Sequence, residues 1–161
     1  EEQIARDFIC FQKPEAVVVV VNAVCLERNL NLVLQIMEIT PRVVVCVNLL
    51  DEAQRRNIKI DLPKLAQELG VPAVGAVARQ GRGLEDLKQT IEDLLLGRIE
   101  VHPQLPVYDA ELEKEIAGLL PRISSSTGAA VNPRWFALRL LEGDESVLDK
   151  LNIKEIGNYL T

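Results

Sequence analysis

The sequence predicts an α/β protein: a three-stranded parallel sheet interleaved with helices, followed by a small all-α domain. Three observations predict it. The Val-rich runs at 16–23 and 42–48, and a milder one at 71–78, are continuously apolar rather than alternating, as strands buried on both faces are. Stripes of helical period separate them, and a strand–helix–strand order implies right-handed crossovers onto a parallel sheet. Beyond residue 107 no strand pattern remains.

The elements follow in order. After the first run, Leu26, Leu30, Val33, Leu34 and Met37 recur at helical spacing, and Thr40-Pro41 provides a stop. Asp61 is a good N-cap for a helix with Leu62, Leu65, Ala66 and Leu69 on one stripe, closed by Gly70. A third helix opens near Leu84, carries Leu87, Ile91, Leu94 and Leu95, and ends at Gly97. Residues 99–106, with Pro103, Pro106 and the lone His102, read as a linker between domains at 1–98 and 107–161. In the second domain Asp109 caps a helix through Leu112, Ile116, Leu119 and Leu120, which Pro121 and a loop at 124–128 are expected to interrupt. Asn132-Pro133 opens a helix over 134–142 with Gly143 as its C-cap. Two short helices are expected at 146–151 and 153–160.

Composition narrows the function classes. The chain has 161 residues, 18 Lys and Arg against 24 Asp and Glu, and a net charge of −6. That balance repels phosphate backbones and argues against a nucleic-acid partner. The longest apolar stretch, 16–21, falls far short of the ~20 residues that span a bilayer. Cys10, Cys25 and Cys46 lack metal-ligand spacing and are expected to be buried free thiols, and the single histidine argues against a zinc site.

In a parallel α/β sheet, ligands bind beyond the carboxyl ends of the strands. The first strand ends in Asn22-Ala23, where the Asn22 amide is expected to bond its own backbone. The second ends in Asn48-Leu49-Leu50-Asp51, and the third run leads into Val77-Ala78-Arg79-Gln80-Gly81-Arg82-Gly83. Asn-x-x-Asp places an amide and a carboxylate on one tight loop. A carboxylate accepts from guanine N1 and N2 together, which adenine cannot offer, and a buried unpaired carboxylate penalises the wrong base. The Asn48 amide can brace the loop and reach N7, the Ala78 N–H can donate to O6, and Gly81 and Gly83 let the loop fold close to the ligand. Trp135 falls on the apolar face of its helix and is expected in the core.

Asn48-Leu49-Leu50-Asp51 resembles the Asn-Lys-x-Asp motif of P-loop GTPases, and Val77-Ala78-Arg79 their Ser-Ala-Lys loop. More narrowly, residues 22–30 resemble the Asp-Ala-Thr-Asn-Leu-Glu-Arg-Asn-Leu stretch of the ferrous iron transport protein B family. The likeness continues through residues 48–53, 57–61, 69–72 and 78–83 and reaches Arg134-Trp135-Phe136-Ala137-Leu138-Arg139-Leu140-Leu141-Glu142-Gly143-Asp144. It implies the last three strands of a P-loop GTPase-type sheet, then a helical, GDI-like domain. It also implies binding of GTP and GDP, with magnesium in the family, and a place on the cytoplasmic side of the bacterial inner membrane. The partner there is the permease domain of the same protein, and the role is regulation of ferrous iron uptake. Asn48, Leu49 and Asp51 would contact guanine together with Val77, Ala78 and Arg79, with Arg79 over the base.

The sequence departs from the family pattern at Leu49, Val77 and Asn22, where Lys, Ser and Asp are usual. No Gly-x-x-x-x-Gly-Lys-Ser/Thr occurs, and residues 1–7 resemble the helix after the second switch. Phosphoryl transfer needs that loop's amides, lysine and hydroxyl. The 161 residues alone are therefore expected not to hydrolyse GTP. The Val-rich first strand is expected to present an open edge, covered by another segment or by homo-oligomerisation. The competing reading is a nucleotide-independent interaction module that uses this edge and the helical domain.

Overall fold

A computed structural model describes residues 2–127 and 131–144; the helices expected at 146–151 and 153–160 lie outside the described residues. The chain divides into two compact units. One comprises Gln12–Leu105, the other Glu1–Phe11 together with Pro106–Thr161.

The first unit is the sheet. Strands β1 (Val17–Asn22), β2 (Val43–Asn48) and β3 (Ala73–Gly75) are all parallel, in the order β1-β2-β3. Val17 faces Val43 and Asn22 faces Asn48 in register, so both strands end level with an asparagine. Helices α2 (Leu26–Ile39), α3 (Leu50–Arg55), α4 (Leu62–Leu69) and α5 (Leu84–Leu95) complete the unit. Every residue from Val43 to Val47 is buried, as expected of a central strand covered on both faces. Val19, Val21, Val33, Met37, Val43, Val45, Val47 and Leu69 form one core. Each fully buried aliphatic side chain there is worth about 1.5–3 kcal/mol. Asp61 caps α4 by accepting the Lys64 N–H at 3.0 Å, and Gly70 closes it in the left-handed region at φ 69°.

The third strand is shorter than the run at 71–78 implied. Val45 N–H donates to Pro72 O and Ala76 N–H to Val47 O, and the chain then leaves the ladder. Ala76 O accepts from Leu50 N–H at 3.3 Å, and Val77 forms an antiparallel bridge with Arg82. Residues 76–78 are thus drawn across the end of the sheet rather than along it.

The segment read as a linker hydrogen-bonds to this unit. His102 N–H donates to Gly70 O and Gln104 N–H to Leu69 O, both at 2.9 Å, while Val101 and Leu105 pack on the core. Of the cysteines, Cys10 and Cys46 are buried and in no disulfide, and burial raises the Cys46 pKa. Cys25 is exposed instead, because it follows the buried Ala23 on a 3-10 turn at the rim of the sheet.

The second unit contains α1 (Glu2–Asp7), a π-helical turn at Phe8–Gln12 that reaches its boundary, α6 (Ala110–Thr127) and α7 (Pro133–Leu141). Arg6 joins its two sequence segments by pairing with Asp144 at 2.9 Å. The helices pack through Ile116, Ile123, Trp135, Phe136 and Leu140, so the tryptophan is core as its periodicity implies. Asn132 caps α7 by accepting the Arg134 N–H at 3.0 Å. The interruption expected at Pro121 does not occur: α6 runs through it. Ile116 and Ile123 are both buried two turns apart, and the packing outweighs the one hydrogen bond a proline removes. Ser125 and Thr127 return their hydroxyls to the Arg122 and Ile123 carbonyls, so the serine-rich stretch serves the helix rather than ending it.

Candidate functional site

The site lies at the carboxyl end of β2. Asn48, the last residue of that strand, turns its side chain back on the backbone. Its Oδ1 accepts the Leu49 N–H at 2.8 Å and the Ala78 N–H at 3.0 Å. One amide oxygen therefore stitches the end of β2 to the turn after β3. Leu49 takes the left-handed conformation, with φ 64° and ψ 33°, uncommon for a non-glycine residue. That reversal starts α3, and Asp51 sits in its first turn. The tight loop expected over 48–51 is thus a single left-handed residue followed by helix.

Asp51 is the electrostatic centre. Its Oδ2 accepts from Arg79 Nη2, and Arg55 Nη2 approaches the same oxygen at 3.3 Å. Glu52 pairs with Arg55 at 2.5 Å and lies 4.0 Å from Arg79. Burial pushes the Asp51 pKa up, but the Arg79 hydrogen bond and charge, the Glu52 N–H and Arg55 outweigh it. The carboxyl is held below its ordinary value. The other oxygen, Oδ1, is buried and has no hydrogen-bond partner among the described residues.

Residues 78–80 form a 3-10 turn closed by Gly81 at φ 72°. Val77, expected at the ligand, is buried and spends its backbone on Arg82 and Gln80. The two glycines have different duties. A Cβ on Gly81 would meet nothing, whereas one on Gly83 would overlap Gly75 O, so Gly83 permits a backbone-to-backbone approach. The structure thus gathers Asn48, Leu49, Asp51, Ala78 and Arg79 at one end of the sheet. The sequence reading missed Arg55 as a partner of both Asp51 and Glu52; its i+4 and i+3 spacing from them on a helix was the available signal. Asn22, level with Asn48, is structural as expected: its Oδ1 accepts the Val24 N–H at 2.8 Å and its N–H donates to Asn29.

A parallel sheet with helices, joined to a separate helical unit, is the architecture of a G domain carrying a helical domain. Residues 1–91 match the family profile described as ferrous iron transport protein B, and residues 108–160 match the FeoB cytosolic helical domain. The chain belongs to the ferrous iron transport protein B family. It is 35% identical to the Fe(2+) transporter FeoB of Escherichia coli K12 over 144 residues, 89% of this chain and 18% of that protein. It is 32% identical over 151 residues to a Fe(2+) transport protein A/Fe(2+) transporter FeoB fusion protein of Porphyromonas gingivalis, again 18% of that protein. The chain thus spans about a fifth of the length of these curated relatives.

Solved structures agree. The cytosolic domain of T. maritima FeoB in GDP form II superposes with TM-score 0.81 at 32% identity, covering 95% of this chain and 61% of that one. The mGMPPNP-bound NFeoB of S. thermophilus gives 0.81 at 30% identity, with 98% and 58% covered.

Proposed function

We propose that this chain supplies the guanine-recognising part of a nucleotide switch on the cytosolic side of a ferrous iron transporter. The observation that carries the reading is the buried Oδ1 of Asp51, which has no hydrogen-bond partner among the described residues. A buried carboxylate oxygen without a donor is costly, and guanine N1–H and N2–H₂ supply donors that adenine lacks. Asn48, braced by two backbone N–H groups, stands beside it, and Leu49 offers an apolar surface to a base. The relatives support the nucleotide: FeoB cytosolic domains are solved in GDP and GMPPNP forms. They support the transporter context too, since the E. coli and P. gingivalis proteins are Fe(2+) transporters.

On this reading the switch regulates iron uptake through the permease domain of the same protein, beneath the bacterial inner membrane. Among the described residues no helix is long and apolar enough to cross a membrane. Nor do three or more His, Cys, Asp or Glu side chains come together to hold a metal.

Titration with fluorescent GDP against a matched ADP analogue tests the reading. Selective GDP binding that Asp51→Asn abolishes supports it; equal binding of both, or none at millimolar ligand, overturns it. The competing reading, a nucleotide-independent interaction module, draws on β1. Among the described residues that strand pairs only with β2, and Val20 on it is 59% exposed. Self-association by sedimentation, lost on substituting Val20→Lys and unaffected by GDP, would favour that module.

A further inference from the structure

The groups expected to read guanine are already engaged with one another. Arg79 Nη2 bonds Asp51 Oδ2, and the Ala78 N–H, expected to meet guanine O6, donates to Asn48 Oδ1. Arg79 was expected over the base, where its charge would stack on the ring. Its partner is instead the carboxylate that the base would need. Arg79 is about half exposed while the Asp51 side chain is 13% exposed, so the arginine covers the carboxylate from the solvent side. Arg55 and Glu52 hold the pair in a network of two cations and two anions.

We propose that the Arg79–Asp51 ion pair is a latch over the guanine subsite, which the base must displace; this rests on the guanine reading above. Arg79 then sets affinity by competing with guanine for one carboxylate, rather than by adding a contact to it. Two consequences separate the latch from a stacking role. Removing the guanidinium tightens binding, whereas removing a stacking cation weakens it. Salt screens the exposed pair, so binding of an uncharged ligand strengthens as salt rises.

The probe is guanosine, whose lack of phosphate leaves only the base and ribose, with inosine as its counterpart lacking the exocyclic amine. Affinities are measured by ligand-observed NMR on the 161-residue chain, the Arg79→Ala variant and the Asp51→Asn variant, at low and high NaCl. The latch predicts that Arg79→Ala binds guanosine about two- to fivefold more tightly, the range of an exposed ion pair. It also predicts that affinity of the unaltered chain rises with salt and that of Arg79→Ala stays flat. Inosine, making one bond fewer to Asp51, shows the same trends at lower affinity. Weaker or unchanged guanosine binding by Arg79→Ala, with Asp51→Asn still abolishing it, overturns the latch and leaves the guanine reading standing. Absence of guanosine binding in all three chains overturns both.

Discussion

Gly70 O accepts the His102 N–H at 2.9 Å, so the end of α4 is stapled to a segment 32 positions further along the chain. Gly70 has φ 69°, and a Cβ placed on it would overlap His102 O. The residue is required twice over, by its left-handed conformation and by the strap that crosses it.

Gly70→Ala is therefore expected to cost about 2–4 kcal/mol, from left-handed strain plus two strained or lost backbone hydrogen bonds. Gly97→Ala is the control. Gly97 has the same φ of 69° but nothing within reach of an added Cβ, so only the conformational penalty of about 1 kcal/mol applies. Chemical denaturation of both variants checks the difference. Equal losses would mean that the strap carries no weight.

Glu113 and Arg134 give a pH dependence. Arg134 donates to both Glu113 oxygens, at 2.7 and 2.8 Å, and the Tyr108 N–H adds a third donor at 3.1 Å. The Arg134 hydrogen bonds first, then that backbone N–H, lower the Glu113 pKa to about 2. The ordinary value is 4.5. A carboxyl depressed in the folded state binds fewer protons there than in the unfolded chain. Its contribution is thus complete above about pH 4.5 and is lost as pH falls toward about 2. Thermal melts across that interval should show the unaltered chain losing stability more steeply than Glu113→Gln. The gap between them should close near the acid end. Parallel curves would rule out the linkage.

Much of the fold was legible because periodicity and caps act locally. The unbroken apolar run of β2 signalled burial on two faces, and Asp61, Gly70 and Asn132 each mark a helix end where the structure has one. What escaped was set by contacts distant in sequence. The strap from Val101 to Leu105 contains Pro103, is followed by Pro106 and has no periodicity, and only its partner at Leu69 and Gly70 reveals it. At the site, Asn48 and Asp51 were visible as residue types at a spacing. Their partners Ala78 and Arg79 were named, but which group bonds which depended on the left-handed turn at Leu49 and on the chain crossing at Ala76.

Pro121 was read as a break because a proline in a helix interior removes a hydrogen bond and crowds the carbonyl four residues back. The helix survives through Ile116 and Ile123, and Pro121 itself is exposed. Its replacement by alanine should therefore recover helix energy without disturbing the core. Part of that gain is offset by the freer unfolded chain, leaving a net stabilisation of about 1–2 kcal/mol. A rise in Tm for Pro121→Ala checks this. A fall would mean that the proline contributes more to the folded helix than the hydrogen bond it removes.

Asn48 offers a test of the site's architecture independent of any ligand. Its Oδ1 takes two backbone N–H groups, one beside it at Leu49 and one across the strand end at Ala78. Asn48→Ala leaves both without that acceptor. Water can reach the Ala78 turn, so the cost should sit at the lower end for an unmade hydrogen bond, about 1–2 kcal/mol in total. Asn48→Asp keeps an acceptor oxygen in the same place but sets a second carboxylate near Asp51. It should retain the backbone stitch while drawing Arg79 between two acids. Amide exchange at Ala78 distinguishes the variants: it should accelerate in Asn48→Ala and stay slow in Asn48→Asp. If both exchange alike, the end of β2 is held by the crossing at Ala76 and Leu50 rather than by the asparagine, and Asn48 is left free to turn toward a base.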